Sequence, residues 1–294
     1  MIAKIYRKAV PIELRAKIAD ARRKRQERLV LDRIKAGEFQ EHKAECDYMI
    51  RHNEVFAMPY PWREEYRASD VEVRYDGQKG MPCCSLKNTG GRVSIYFPQN
   101  WSKGFVRRYL NAILCEQDPR SPHYYFDRAD PWFDDDTIFI DAGAAEGLVA
   151  LQVVDRVKKV VLLECDKVWM EPLKATFEPW KDKVTIVTKF AGDMNDDTTC
   201  TLDDLVEAAS GKVAIKMDVE GNELSVLRGS EKLLDADNAR AYICLYHNDA
   251  DEDKIVPMML GKGFQTSMSD SYMFYRLNQQ QDYSFRHGVL RCEK

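Results

Sequence analysis

The chain of 294 residues is poor in the features that narrow a function fastest. It has no apolar run near the ~18–20 residues that cross a bilayer. Charge interrupts its opening, MIAKIYRKAVPIELRAK, too often for a secretory h-region. These absences predict a cytoplasmic protein with no membrane span. The eight cysteines, at 46, 83, 84, 115, 165, 200, 244 and 292, form no C-x-x-C pair. Free thiols fit that spacing better than a zinc site or a disulfide framework. No repeat of ~20–50 residues is visible, which argues against a solenoid. The net charge of −4 carries no basic excess to draw the chain to nucleic acid.

What is present is globular: 45% hydrophobic and 31% charged residues, enough for one large domain or two small ones. Charge is uneven. Residues 1–36 carry 12 Lys+Arg and 4 Asp+Glu, so this arm is +8 and the rest of the chain −12. Leu14, Ile18, Ala21, Leu29 and Ile34 recur near helical spacing, with Pro11 suited to a first turn and Gly37 to a stop, so 12–36 reads as a helix. Its run Arg22-Arg23-Lys24-Arg25 belongs to a solvated face, with a homodimer or partner-helix face as the alternative. Residues 38–70 hold helical patches ended by Pro59-Tyr60-Pro61. Residues 71–97 read as strands with turns at Asp76-Gly77 and Gly90-Gly91, and 102–117 as a helix. The segment 38–133 is expected to form a cap that shapes an acceptor pocket. Its Tyr60, Trp62, Tyr66, Trp101, Tyr124, Tyr125 and Trp132 serve either as core or as stacking surfaces for sugar rings.

From 134 to 294 the pattern changes to strand–helix alternation. Strands are expected at 137–141, 159–164, 183–190, 212–218, 240–247, 264–269 and 272–277. Helices are expected at 146–156, 167–178, 201–209, 222–234 and 251–261. The last two strands are close enough for a hairpin. The pattern predicts an α/β fold, Rossmann-like, with a mostly parallel seven-stranded sheet closed by one antiparallel strand. Ligands of such sheets sit beyond the carboxyl ends of the strands.

Those ends carry the chemistry. The first reads Asp141-Ala142-Gly143-Ala144-Ala145-Glu146-Gly147, a D-x-G-x-x-x-G spacing and not G-x-G-x-x-G. A pyrophosphate wants bare N–H groups without a carboxylate beside them. Asp141 and Glu146 make this an acidic loop, which suits the sulfonium and ammonium of S-adenosylmethionine better than NAD. Glu164 closes the second strand, 21 residues after Gly143, where an acid accepts from ribose hydroxyls. Gly192-Asp193 ends the third; Asp193 is placed to accept from an exocyclic amine or to serve as a turn residue. The fourth end is Lys216-Met217-Asp218-Val219-Glu220-Gly221-Asn222-Glu223. Lys216 needs a partner if buried, and one of these acids is at hand. Asp218 faces the reacting centre. Asp218 with Glu220 offers oxygen ligands, but no third ligand is evident, so no metal is expected. Glu223 suits a helix N-terminus. His247 ends the fifth strand, either as general base or as a histidine satisfied by backbone or water.

The strings IFIDAGAAEG, LLEC, TCTLDDL and IKMDVEGNELSVLRGS together resemble the FkbM-type S-adenosylmethionine-dependent methyltransferases, over about residues 134–277. Upstream, Glu116-Gln117-Asp118 and Ser121-Pro122-His123-Tyr124 resemble a segment found before the domain in some members. The resemblance implies methyl transfer to a hydroxyl oxygen of a sugar, glycan or other small-molecule acceptor. It implies that Asp141, Gly143 and Gly147 hold the methionine portion of the donor and Glu164 the ribose; Ala144, Cys165 and, at the adenine edge read from its small residues, Gly192 with Asp193 complete the expected cofactor site. Asp218 then faces the methyl-transfer site, and His247 acts as base. The family's acid–x–His pattern reads Leu245-Tyr246-His247 here, without the acid. A dinucleotide-dependent oxidoreductase and a non-catalytic binding protein on the same scaffold are the rival readings.

Overall fold

The computed structural model describes residues 12–88, 91–127, 129–206, 211–248, 251–276 and 282–294. The chain forms two compact units that part between Arg63 and Glu64. The break therefore falls inside the segment 38–133.

In the first unit, α1 (Ile12–Lys35) and α2 (Lys43–His52) pack on each other. Arg23, Lys24 and Arg25 are exposed, as a solvated face requires. The buried stripe differs from the expected one. Val30, Leu31 and Ile34 are buried, whereas Ala21 and Leu29 are exposed. Leu29 lies about a hundred degrees of helix from Val30, on the polar side. Pro11 and the Leu14 and Ile18 side chains lie outside the described residues.

The second unit starts with an antiparallel sheet, β1 (Val73–Asp76), β2 (Met81–Asn88) and β3 (Gly91–Tyr96). Helix α3 (Lys103–Glu116) follows, capped by Ser102, whose Oγ accepts from Phe105 N at 3.2 Å, and it buries Val106, Leu110 and Cys115. The main sheet comprises β4 (Thr137–Ala142), β5 (Lys159–Leu163), β6 (Val184–Val187), β9 (Lys212–Met217), β10 (Ala239–Cys244), β11 (Gln265–Met268) and β14 (Val289–Glu293). Two short pairs lie outside it: β7 (Phe190–Ala191) with β8 (Thr199–Cys200), and β12 (Met273–Arg276) with β13 (Tyr283–Arg286). The main sheet's order is β11-β14-β10-β9-β4-β5-β6. Its pairs from β10 to β6 are parallel, and β14 runs antiparallel to both neighbours.

The seven strands and the antiparallel closure are as expected, but the closing strand is a different one. The expected strand at 272–277 is β12, outside the main sheet, and residue 277 lies outside the described residues. The sheet is closed by β14, whose Val289, Leu290 and Cys292 are fully buried. Burial of those three between β10 and β11 outweighs a local hairpin of 264–277. The expected helices are also shorter. Residues 146–156 hold only α4 (Leu148–Leu151) before irregular turns, and 167–178 hold α5 (Met170–Thr176). Residues 222–234 are split by Gly229 into α6 (Glu223–Arg228) and α7 (Glu231–Leu234). α8 (Asp251–Gly261) matches. Residues 202–204 form one 3-10 turn, and 207–210 are outside the described residues.

Period-two alternation splits the core in two. Phe139, Leu162, Ala214 and Tyr242 face one side; Ile138, Ile140, Val161, Val213, Ile215 and Ile243 face the other. The N-terminal sheet docks on the first side, where Tyr96 N donates to Thr176 Oγ1 at 3.0 Å. All eight cysteines are free thiols, and no helix of the described residues is long and apolar enough to cross a membrane.

Asp118, buried after α3, ties segment 64–70 to this body. It accepts from Tyr66 Oη at 2.7 Å and from Arg120 Nε and Nη2 at 2.9 and 2.8 Å. The Arg120 hydrogen bonds outweigh burial and lower its carboxyl to about 2. A carboxyl depressed below its unfolded value near ~3.9 stabilises the fold above that pH and loses the contribution as pH falls through the folded value. Asp118→Asn should therefore cost about 1–2 kcal/mol at neutral pH. In urea unfolding, its difference from the parent should shrink between pH 4 and pH 2.

Candidate functional site

Parallel neighbours in register point their side chains to the same face, and the site starts from that fact. Asp141 of β4 is in register with Lys216 of β9. Both are buried, and Lys216 Nζ lies 2.9 Å from Asp141 Oδ1. Lys216 also donates to Gly143 O at 2.6 Å. Burial disfavours the Lys216 charge, but Asp141 and Asp218 outweigh it and hold the ammonium protonated. The partner of Lys216 is thus an acid of the neighbouring strand, not one of the acids that follow it in sequence.

Gly143 has a φ of 79°, and a Cβ there would stand 1.8 Å from Asp218 O. Only glycine lets the loop after β4 lie against the end of β9. Gly147 also has a positive φ, of 80°, but its constraint is packing, since a Cβ would meet Phe177 Cε2 at 2.6 Å. Glu164 locks the loop to the end of β5, accepting from Ala145 N at 2.9 Å and Asp166 N at 2.7 Å.

A cleft of about 430 Å³ opens where these ends meet, at the point where the strand order reverses from β4 to β5 on one side and β9 on the other. Its volume suits a small molecule. Gly143, Glu164, Cys165 and Asp218 of the expected residues line it. Trp169, Phe190, Ala191 and Asn222 add aromatic, small and amide surface. Asn222 holds its wall by donating to Ala191 O at 2.8 Å. The other expected residues stand back. Asp141 near the tip of β4 and Ala144 within the loop are buried. A Cβ on Gly192 would meet Thr199 Cγ2 at 2.8 Å, so that glycine serves packing. Asp193 lies 3.8 Å from Arg228, outside the lining. The acidic wall accordingly consists of Glu164, Asp166, Asp218 and Glu220. Asp141 and Glu146 are not part of it: Asp141 is paired with Lys216, and Glu146 is buried and accepts from Tyr109 Oη at 2.7 Å.

Asp218 is the hub. Its Oδ2 accepts from Tyr125 Oη at 2.9 Å and lies 3.4 Å from His123 Nε2. Its Oδ1 accepts from Tyr246 Oη at 3.4 Å and lies 3.5 Å from His247 Nε2. Burial would raise this carboxyl, but His123, Lys216 and His247 outweigh it and hold it far below the usual carboxylate range. His247 stands behind Asp218, 1% exposed, with Nδ1 2.9 Å from Glu223 Oε1. Burial disfavours the imidazolium, yet Glu223 and Asp218 raise the His247 pKa above its ordinary value. Glu223 therefore supplies the acid that Leu245-Tyr246-His247 lacks, while also accepting from Val219 N and Gly221 N at the start of α6. On the inner side, burial pushes the Glu116 carboxyl up to about 7.

The links of His123, Tyr125 and Tyr246 to Asp218, the place of Asn222 in the cleft wall and the pairing role of Glu223 escaped the sequence reading. The available signal was polar residues embedded in apolar runs, SPHYYF and ICLYH. Gly143→Ala tests the packing: its unfolding free energy should fall by about 3 kcal/mol or more. Gly261→Ala, with nothing within 4 Å of a new Cβ, should change it by less than about 1 kcal/mol. Denaturant melts of both variants check this.

No curated protein matches the chain. Among solved structures it is similar to a methyltransferase FkbM from Methylobacillus flagellatus KT, at 19% identity and a TM-score of 0.44. That match covers 67% of this chain and 56% of the other, so the chain spans little more than half of that protein's length. An rRNA methylase from Streptococcus thermophilus matches at 20% identity and a TM-score of 0.38, covering 55% of this chain and 89% of the other. A putative methyltransferase from Streptococcus mutans, in complex with SAH, matches at 17% and 0.34, covering 55% and 90%. The family model of the methyltransferase FkbM domain matches residues 141–284, from the tip of β4 into β13.

Proposed function

We propose that the chain is an S-adenosylmethionine-dependent methyltransferase that methylates a hydroxyl oxygen of a sugar, glycan or other small molecule. The cleft carries this reading: Glu164, Asp166, Asp218 and Glu220 line it against Lys189, whose Nζ donates to Asp196 O at 2.6 Å, and a wall with this acidic excess favours a sulfonium and an ammonium over a pyrophosphate. Glu164, with Cys165 beside it, takes the ribose. Phe190 and Ala191 flank the adenine, with Gly192 and Asp193 continuing that edge. The loop from Gly143 to Gly147, propped from below by Asp141, and Asp218 take the methionine portion.

The chemistry asks for alignment first. A sulfonium leaves readily, so holding oxygen, carbon and sulfur in line supplies ~7–11 kcal/mol. The acceptor hydroxyl must also lose its proton. We assign its activation to His247, held by Glu223, and its orientation to Asp218. The acceptor body is assigned to the cap side. There a second cavity, of about 380 Å³, is lined by Leu86, Val93, Leu114, Gln117 and Tyr124. Gln117 Nε2 donates to His123 O at 3.2 Å, which links that cavity to the Asp218 network.

Calorimetry with S-adenosylhomocysteine tests the donor site. Glu164→Ala should weaken binding by about 1.5–3 kcal/mol, tenfold or more. Binding of NADH in its place rejects the assignment. His247→Ala should lower turnover about 10²–10⁴-fold with S-adenosylhomocysteine affinity unchanged. Near-parental turnover rejects the role given to His247. The acceptor for these assays comes from a methyl-transfer screen of nucleotide sugars and glycan fragments.

A further inference from the structure

Two carboxylates approach one imidazole nitrogen at the inner edge of the cleft. His247 Nε2 lies 3.5 Å from Asp218 Oδ1 and 3.8 Å from Glu220 Oε2. It is buried and, among the described residues, has no hydrogen-bond partner. Glu223 Oε2 beside it is buried and unpartnered as well. The other nitrogen of His247 is engaged by Glu223 Oε1 at 2.9 Å. A carboxylate on one ring nitrogen, with the other nitrogen free, is how metal-ligating histidines are oriented. When Nδ1 carries the proton, the Nε2 lone pair faces two carboxylate oxygens. A proton or a metal ion on Nε2 relieves that contact.

The spacing suits an ion. Ligands ~2.0–2.4 Å from a shared centre stand about 3–4 Å apart. Asp218, Glu223 and His247 already cluster with ligand atoms within 4.8 Å of one another. Glu220 is 82% exposed, so its carboxylate completes the set by a change of rotamer alone. A neighbouring trio, His123, Asp218 and Cys244, is also close. Its atoms are satisfied without an ion, because Tyr125 Oη bridges to Asp218, His123 and Cys244 at 2.9, 3.4 and 3.3 Å.

We propose that His247 Nε2, Asp218 Oδ1 and Glu220 Oε2 form a binding site for a divalent first-row cation such as Mn²⁺. One imidazole and two carboxylates match that class better than Ca²⁺, which takes oxygen ligands throughout. Three protein ligands leave positions for water or for an acceptor oxygen. A hydroxyl bound there would be acidified by the ion and would give its proton to solvent water, so that His247 would serve as ligand in place of base. The purpose of the site rests on the methyl-transfer reading; its existence does not.

The test is Mn²⁺ titration of the chelator-treated full chain, followed by loss of the free-ion electron paramagnetic resonance signal. The expected result is one Mn²⁺ per chain, with affinity reduced about tenfold or more in Glu220→Gln. Melting curves verify that this exposed substitution leaves the fold intact. No binding at millimolar Mn²⁺ overturns the proposal, as does equal affinity in Glu220→Gln and the parent. S-adenosylhomocysteine titrated into the same samples reports on the donor cleft independently, so the two readings fail separately.

Discussion

The ion pair between Lys216 and Asp141 is the constraint on which the rest of this site hangs. A lysine in the middle of a sheet is tolerated only if paired and hydrogen-bonded, and removing one partner of such a pair costs about 3–5 kcal/mol. Here register brings the two charges together across β4 and β9, and the same ammonium holds the Gly143 carbonyl. The loop after β4 is thereby fastened to the strand that ends in Asp218. The backbone contact of Gly143 with Asp218 closes the gap further. Loop and hub behave as one rigid piece, and the cleft between them and Glu164 inherits that rigidity.

Around this pair the acids divide by exposure. Asp141 and Glu146 spend their charge on Lys216 and Tyr109, beneath the surface. Glu164 spends part of its capacity on backbone N–H groups and still lines the cleft. Asp218 is surrounded by Tyr125, His123, Tyr246 and His247, and His123, Lys216 and His247 keep it ionised. Acid content alone does not tell which carboxylates face a ligand; pairing does. A parallel strand's register decides that pairing.

This explains what could be read in the residues and what could not. The α/β class, the strand ends and the glycine loop follow from local signals: period-two apolar runs, turn glycines and acids at strand tips. Glu164 and Asp218 were legible for that reason. The partner of Lys216 was not, because it lies 75 residues upstream in the chain. The same holds for Glu223 and His247, which meet from separate strand ends. His123 sits ahead of the whole strand–helix series, and no periodicity connects it with Asp218. The closing strand was missed because five residues of VLRCE carry too little pattern to compete with the nearer YMFYRL. Burial decided between them.

The placement of β14 couples the end of the sequence to its middle. Arg291 on that strand donates to the carbonyls of Tyr124 and Tyr125, and Leu245 N donates to Gly288 O. Neither the Tyr124–Tyr125 backbone nor Leu245, two residues before His247, therefore has its full set of hydrogen bonds without residues 288–291. By pairing with β10, β14 also covers an edge of the kind that invites mispairing. The side-chain network around Asp218 thus leans on a strand that does not line the cleft.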